Sequence, residues 1–173
     1  ATTGCKTCVF DFDGNLIGSD YREYPCYYPN LGWVEQTAED ITPALYESCK
    51  AAIANSGVDP REIVALGLSS QGSVIGLLDK DGKLLRPFVG WQDIRGGQKE
   101  IEYVTSRIPR DEYYALTGDP LSVIFSTTKY VWLRENEPQN WEKTAMFSTN
   151  QDYFLKAFGA EGYFTDLSSA SRD

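Results

Sequence analysis

The stretch CVFDFDGNLIGSD, residues 8–20, decides the first part of the fold. Apolar residues lead into the dipeptide Asp13-Gly14, and apolar residues follow it. Glycine tolerates the positive φ that a tight turn requires, and aspartate is frequent beside it. The pattern therefore predicts a β-hairpin, with one strand over 5–12, a turn at Asp13-Gly14 and a second strand over about 16–24.

The same stretch also permits a catalytic interpretation. Asp11-x-Asp13-Gly14 is close to the signature of the haloacid-dehalogenase-type phosphatases, whose first aspartate is a phosphate-accepting nucleophile. Such an enzyme also needs a late acidic pair to complete its Mg²⁺ site, and its chain leaves the motif for a helical cap. This chain has no clean late acidic pair, and the residues after Ser19 are rich in Tyr and Pro. The sequence favours the hairpin, with Asp11 as a structural residue, and the phosphatase stays an alternative.

Composition and charge limit the classes of function. The 173 residues are 42% hydrophobic and 13% aromatic, which is enough to bury a real core. The net charge is −9 with Lys and Arg scattered, so we expect no nucleic-acid partner. No run of about 18 apolar residues is present, so we expect no membrane span and a cytoplasmic location. The chain has no histidine, so a general base would have to be a carboxylate or, less often, Lys, Cys or Tyr.

The four cysteines do not predict a redox or metal site. Cys5 and Cys8 have the C-x-x-C spacing, but a thioredoxin-like pair opens a helix. The residues VFDF, which follow Cys8, are typical of a strand instead. We expect buried, reduced thiols and no bound metal.

A long helix is predicted over about 37–56. Thr37 and Asp40 have the spacing of a capping box, with Asp in place of the usual Glu, and Gly57 ends the apolar stripe. Proline is unfavourable in the second turn of a helix. The alternative is therefore a later start with Pro43 as the first helical residue.

The rest of the chain alternates strands and helices. We predict a short strand over 32–36, a buried strand over 64–71, a hairpin that turns at Asp81-Gly82, helices over about 94–107, 110–116, 126–136 and 151–158, a strand over 146–148, and a strand-like ending over 163–171. Three strands, a helix and another strand, with tight turns between the first strands, is the order that a ribonuclease H-like domain needs.

Six segments occur in the order found in one enzyme family. They resemble the motifs of the FGGY carbohydrate kinases, which belong to the actin/hexokinase/Hsp70 superfamily. The segments are TTGCKTCVFDFDGN (2–15), GWVEQTAEDI (32–41), GLSSQG (67–72), GWQDIR (90–95), LTGDPLSVIFSTTKYVWL (116–133) and TDLSSASR (165–172). Each is a moderate signal alone, but six in order over the whole chain are a strong one.

The resemblance implies an α/β fold and an activity. The fold would be a ribonuclease H-like (actin-like ATPase) domain, with a mixed sheet, antiparallel hairpin strands at its start and flanking helices. Residues 1–173 would be most of the N-terminal, sugar-side domain, and the ATP-side domain would not be in this chain. The whole enzyme would transfer a phosphoryl group from ATP, with Mg²⁺, to a hydroxyl of a small-molecule sugar or polyol. A homodimer is an open expectation.

The resemblance also implies a set of site residues. Thr2, Thr3 and Lys6 would border the transferred phosphate. The sugar site would be lined by Gln71, Gly72, Ser73, Trp91, Asp93, Arg95, Ile124 and Phe125. Structural alternatives stay open: the threonines as turn residues, Lys6 as an exposed strand charge, Trp91 as a core aromatic, and Asp93 with Arg95 as an ion pair.

Three departures from the family pattern limit these implications. Ala1 occupies the Gly position of the first loop, and the family's metal-associated Asp would lie before residue 1. Gly72-Ser73 replaces the bulkier polar pairs of glycerol kinases and xylulokinases, so the identity of the sugar stays open. The family's Gly-Asp segment, which carries the catalytic base, is absent, and neither Asp119 nor Asp166 lies in such a segment. We therefore assign no catalytic residue and no metal ligand in this chain, and expect the chain alone to be inactive. A non-catalytic member that binds a sugar or a protein is the other alternative.

Overall fold

The structure is a computed structural model that describes residues 2–171. Ala1, Arg172 and Asp173 lie outside the described residues, and so does the end of the last motif, which reaches Arg172. The described chain divides into two compact units. The first comprises 2–26 and Gln36–Ser69, and the second comprises Tyr27–Glu35 and 70–171.

The first unit contains the predicted hairpin. Strand β1 (Gly4–Phe10) pairs antiparallel with β2 (Leu16–Glu23). Gly14 takes a φ of 84° in the turn between them, a conformation that favours glycine. The hairpin interpretation of this stretch is confirmed.

Helix α1 (Ala38–Ser56) lies across both hairpin strands. Its N-terminus is capped as predicted, because the Thr37 hydroxyl accepts a hydrogen bond from the backbone N–H of Asp40. Gly57, with a φ of 71°, ends the helix. Pro43 lies inside the helix, so the alternative start at that residue is wrong.

The buried strand predicted over 64–71 is wrong. This segment has no strand in the structure, although Pro60–Glu62 just before it form a turn of 3-10 helix. Val64 is 76% exposed and Leu66 is 52% exposed. An apolar run becomes a buried strand only where a neighbouring strand pairs with its backbone, and no such pairing is described for this run.

A four-stranded sheet organises the second unit. Strands β3 (Glu35–Gln36), β4 (Ile75–Leu78), β5 (Phe88–Val89) and β6 (Met146–Thr149) have the spatial order β3-β5-β4-β6. The central strand β4 is buried at every position and pairs antiparallel with β5 and β6. The predicted hairpin after β4 is present, since Gly82 has a φ of 78° and Leu84 forms a bridge back to Leu78.

Six helices complete this unit. They are α2 (Gln98–Thr105), α3 (Arg110–Thr117), α4 (Ser126–Asn136), α5 (Pro138–Lys143), α6 (Asn150–Ala157) and α7 (Leu167–Ala170). Helices α3, α4 and α6 and strand β6 confirm the predictions for those segments. Among residues 2–171, no helix combines the length and the apolar character that crossing a membrane requires.

Three predictions for this unit differ from the structure. Helix α2 begins at Gln98 rather than near 94, because residues 90–93 form a turn and Gly96-Gly97 directly precede the helix. Helix α5 was not predicted. The ending over 163–171 is not a strand: Asp166 accepts hydrogen bonds from the N–H groups of Ser168 and Ser169 and so caps α7. A hydrogen bond from the Ser168 hydroxyl and that from the Ser169 N–H lower the pKa of the Asp166 carboxyl.

Two apolar clusters among the described residues form much of the core of the second unit. Ile75, Leu77 and Val89 of the sheet pack against Leu133 of α4. A second cluster joins α2 and α3 and consists of Ile101, Val104, Tyr113 and Leu121. The first cluster fixes α4 against β4 and β5, and these three elements position the candidate site.

The contact between α1 and the hairpin depends on the absence of a side chain at Gly18. A Cβ atom there would lie 2.5 Å from the Ala52 carbonyl oxygen and 2.6 Å from the Ser56 Cβ. We expect Gly18→Ala to destabilise the protein by about 2 kcal/mol, because the helix must move away from the strand. The midpoint of urea denaturation, measured on the full-length protein, tests this.

Gly67→Ala is the matched control in the same unit. A Cβ atom at Gly67 would meet nothing within 4 Å, so this substitution should leave the denaturation midpoint nearly unchanged. Equal effects of the two substitutions would contradict the close contact at Gly18.

Candidate functional site

A cavity of about 200 Å³ lies in the second unit. Its lining comes from three chain segments: the residues before β4, Trp91 after β5, and the residues before α4. The lining residues are Gln71, Gly72, Ser73, Trp91, Ile124 and Phe125. The structure therefore brings together six of the eight residues that the resemblance assigned to a sugar site.

The topology explains why two of these segments meet. Strands β4 and β5 are antiparallel, with Ile75 opposite Val89. The start of one antiparallel strand lies beside the end of the other, so residues just before Ile75 lie close to those just after Val89. The third segment is held nearby because α4, which follows it, packs on the same strands through Leu133.

Ser73 has an unusual backbone at the edge of the cavity. It is 3% exposed and has a φ of 54°, the only positive φ of a non-glycine residue in the described part of the chain. This left-handed conformation costs a residue with a Cβ about 1 kcal/mol or more, and it persists only where the surroundings hold it. Such strain is concentrated at ligand sites.

Trp91 and Ile124 are accessible from solvent. Trp91 is 36% exposed and Ile124 is 44% exposed, while Phe125 contributes a further apolar wall. The exposure of Trp91 disfavours the alternative in which it is a core aromatic. The cavity therefore has an aromatic ring, apolar walls and the polar groups of Gln71 and Ser73.

Asp93 and Arg95 are not among the residues that line the cavity. Asp93 is completely buried, and its carboxylate accepts hydrogen bonds from Arg95 Nε at 2.9 Å and Nη2 at 2.8 Å. It also accepts the backbone N–H of Val34 at 2.6 Å. The structure thus supports the ion-pair alternative for these two residues.

The ion pair belongs to a larger buried network. Glu35 accepts hydrogen bonds from Arg95, at 2.7 Å, and from Arg86, which also pairs with Glu137. The Arg95 guanidinium lies 4.1 Å from the ring centroid of Trp33. Burial opposes its charge, but hydrogen bonds with Asp93 and Glu35 outweigh that effect and raise the pKa of Arg95.

Lys129 is a buried residue of the 116–133 motif that the sequence alone does not assign to the site. It is 0% exposed, and Nζ lies within hydrogen-bond distance of four backbone carbonyl oxygens. The distances are 2.7 Å to Ile124, 2.9 Å to Gly90, 3.2 Å to Trp91 and 3.4 Å to Ser73. A signal was available, because Lys129 precedes the buried Leu133 by four residues and so shares its helix face.

The residues assigned to the phosphate lie in the first unit. Thr2 and Thr3 precede β1, and Lys6 is an exposed residue within it. The Thr2 carbonyl accepts a hydrogen bond from Gln36 Nε2 at 2.7 Å, which anchors the start of the segment. The hydroxyl of Thr3 and the ammonium of Lys6 are chemically suited to phosphate oxygens.

Asp11 is a turn residue in the structure. Its carboxylate accepts hydrogen bonds from the side-chain amide and backbone N–H of Asn15, at 2.9 and 2.8 Å, and from the N–H of Asp13 at 3.0 Å. These bonds, above all the one from the Asn15 side chain, lower the pKa of Asp11. The carboxylate therefore stabilises the hairpin turn.

A second cavity, of about 250 Å³, is lined in part by Asp152, Thr149 and Tyr130. Burial raises the pKa of Asp152, although its hydrogen bonds with Thr149 act in the opposite direction. Those bonds cap the start of α6, since Thr149 accepts the N–H of Asp152 and donates to its carboxylate. The Asp152 carboxylate thus takes part in capping the N-terminus of α6.

The four cysteines are free thiols, and Cys5 is the most buried of them. Burial raises the pKa of the Cys5 thiol. The other three are partly buried, so the expectation of buried thiols is met fully at Cys5 alone. Within residues 2–171, no three residues of the types His, Cys, Asp or Glu are grouped so that they could hold a metal ion.

Comparison with known proteins identifies the relatives of this chain. The model of the N-terminal domain of the FGGY family of carbohydrate kinases matches residues 1–173. The glycerol kinase of Thermococcus gammatolerans is 33% identical over 99% of this chain and 35% of its own length. That of Trichormus variabilis is 34% identical over 99% of this chain and 34% of its own length. The chain thus spans about a third of the curated relatives it matches.

Solved structures agree in fold. A xyloylose kinase from Brucella ovis matches with a TM-score of 0.86 and 26% identity over 99% of this chain and 34% of its own. The Plasmodium falciparum glycerol kinase with ADP matches with a TM-score of 0.87 and 22% identity over 99% of this chain and 35% of its own. The actin-like ATPase fold expected from the sequence is therefore confirmed.

The buried network should be sensitive to the shape of the Arg95 side chain. Lysine keeps the charge but cannot form two parallel bonds to Asp93, so Arg95→Lys leaves a buried carboxylate partly unsatisfied. We expect a destabilisation of about 3 kcal/mol, measured as a fall in the midpoint of urea denaturation of the full-length protein.

Arg61→Lys is the matched control. Arg61 pairs with Asp59 at 2.5 Å, but its side chain is 90% exposed. Exposed pairs contribute little, so its substitution should leave the midpoint almost unchanged. If both substitutions proved equally mild, the network would not be a determinant of stability.

Proposed function

The chain belongs to the FGGY family of carbohydrate kinases, and we propose that it forms the sugar-side domain of an ATP-dependent kinase. The kinase would phosphorylate a hydroxyl group of a small sugar or polyol. The observation that carries the proposal is the cavity lined by Gln71–Ser73, Trp91 and Ile124–Phe125. Three separate segments, each assigned to the sugar by resemblance, converge on one space.

The chemistry of the cavity suits a carbohydrate. The planar ring of Trp91 offers a surface for the C–H face of a sugar, and Ile124 and Phe125 extend it. The amide of Gln71 can both donate and accept hydrogen bonds, and so can the hydroxyl of Ser73. A sugar hydroxyl, which is itself both donor and acceptor, matches these groups.

The relatives and the small residues Gly72 and Ser73 bear on the class of substrate. The relatives are named for glycerol, xyloylose and gluconate, so their substrates differ among themselves. Gly72 and Ser73 are small compared with the polar pairs expected in glycerol kinases and xylulokinases. We infer that this pair leaves room for a ligand group, and that the acceptor is a small sugar, polyol or sugar acid.

The remaining parts of the reaction would come from outside this chain. ATP supplies the phosphoryl group, and we infer that Thr2, Thr3 and Lys6 lie beside its transferred phosphate. We place the aspartate base beyond residues 1–173 and no magnesium ligand within them. The isolated chain would therefore bind but not phosphorylate. A cytoplasmic location and a homodimer stay predictions.

The experiment that tests the proposal is ADP release by the full-length protein that contains this chain. The protein receives Mg-ATP and a pool that includes glycerol, D-xylulose, D-gluconate and other sugars, polyols and sugar acids. Release that depends on one member supports the kinase and identifies its acceptor. If the folded protein binds a member of the pool without releasing ADP, the proposal fails and the non-catalytic alternative gains support.

Trp91→Ala should weaken the binding of the acceptor. The substitution removes the aromatic surface, so we expect the KM for the acceptor to rise about tenfold or more. The KM for ATP should change little, because Trp91 lines the cavity assigned to the sugar. Steady-state kinetics of the full-length enzyme measure both constants.

Tyr114→Ala serves as the control. Tyr114 is a 58% exposed aromatic on α3 and does not line the cavity. Its substitution should leave both KM values near those of the wild type. An equal rise in the two KM values of Trp91→Ala would indicate a general structural role for Trp91 and contradict the assignment.

A further inference from the structure

The hydrogen bonds of Lys129 connect all three segments that line the cavity. Its described partners are the carbonyl oxygens of Ser73, Gly90, Trp91 and Ile124. Ser73 represents the segment before β4, Gly90 and Trp91 follow β5, and Ile124 precedes α4. The Lys129 side chain thus forms hydrogen bonds with all three segments that line the cavity.

Because Lys129 is buried, the loss of any of these hydrogen bonds would be energetically costly. A buried ammonium group is costly unless its N–H groups find acceptors. Lys129 has three N–H donors, which it distributes over four carbonyl oxygens. Movement of any of the three segments away from Nζ would remove an acceptor from a fully buried charge, and the segments are therefore energetically coupled.

Holding the fold together does not by itself require a charge at this position. One turn further along α4, Leu133 is equally buried and packs on Ile75, Leu77 and Val89. That apolar contact already fixes α4 against β4 and β5. An aliphatic residue at position 129 would fill space in the same way. The ammonium adds directional bonds, and their acceptors lie in the lining segments.

The hydrogen bond from Lys129 to the Ser73 carbonyl helps to hold the strained backbone of Ser73. A left-handed serine persists only where its surroundings hold it in place. The Lys129 Nζ lies 3.4 Å from the Ser73 carbonyl oxygen, which is a long bond but one to a buried charged donor. It therefore supports the conformation that places residues 71–73 at the cavity.

We propose that Lys129 is a positioning residue for the acceptor site, which it builds through the backbone of the three lining segments without contacting the substrate. The proposal rests on the proposed function, since it treats the cavity as the place where a sugar or polyol binds. Its structural part, the coupling of the three segments, can be tested independently of activity.

Hydrogen exchange of the full-length protein tests the coupling. Lys129→Met keeps an apolar arm of similar length and removes the ammonium. Amides over 72–74, 90–92 and 124–126 should then exchange together at least about tenfold faster, because charged hydrogen bonds of this kind typically contribute that much. Amides of α1 should be unchanged. Lys80→Met, at a lysine side chain that is 83% exposed, is the matched control and should change none of these rates.

Steady-state kinetics test the functional part, with the acceptor that the pooled assay identifies. In Lys129→Met the KM for the acceptor should rise about tenfold, while the KM for ATP stays near the wild-type value. A merely structural role would reduce the folded fraction, which lowers the apparent kcat and leaves both KM values unchanged. That second pattern would overturn the positioning role.

The outcomes separate this proposal from the proposed function. If the wild-type protein releases no ADP with any carbohydrate, the kinase assignment fails, and hydrogen exchange still decides the coupling. Unchanged exchange in folded Lys129→Met overturns the coupling. Lys129→Gln, which keeps two N–H donors on a shorter arm, should give smaller changes in the same segments. Failure of both variants to fold would also overturn the proposal, because Lys129 would then be needed for the fold itself.

Discussion

The bidentate ion pair between Asp93 and Arg95 is the interaction on which the second unit depends. Both side chains are completely buried, so neither charge is tolerable without the other. The pair reaches backward along the chain through the N–H of Val34 and through Glu35, and forward through Trp132 on α4. The ion pair thereby holds together segments that are far apart in sequence. We call the pair and these contacts the frame, and it supports the segments that line the cavity.

Two buried cationic residues have different tasks in this frame. Arg95 satisfies carboxylates and lies against aromatic rings, which joins side chains to one another. The described partners of Lys129 are backbone carbonyls, which joins chain segments. A guanidinium has a rigid planar fork, whereas an ammonium is a compact donor that turns toward any nearby acceptor. The difference in chemistry matches the difference in what each one holds.

Local signals in the sequence predicted much of the fold. Asp13-Gly14 specified the hairpin turn, and Thr37, Asp40 and Gly57 specified both ends of α1, because turns and caps depend on neighbouring residues alone. The strand over 64–71 was predicted wrongly, since strand formation depends on a distant partner that no local pattern reveals. The serine-rich ending is a helix and not the predicted strand, because Asp166 caps it through the N–H groups of Ser168 and Ser169.

The site was less accessible to local reasoning. Its six lining residues follow only from the family resemblance, because periodicity alone does not join three segments that are spread between residues 71 and 125. For Asp93 and Arg95 the structure supports the ion-pair alternative that the sequence had left open.

The left-handed backbone at Ser73 restricts how the site can change in evolution. Glycine, asparagine and aspartate adopt this conformation most readily, whereas β-branched residues do so at high cost. Substrate preference can therefore change at position 73 only through a narrow set of residues.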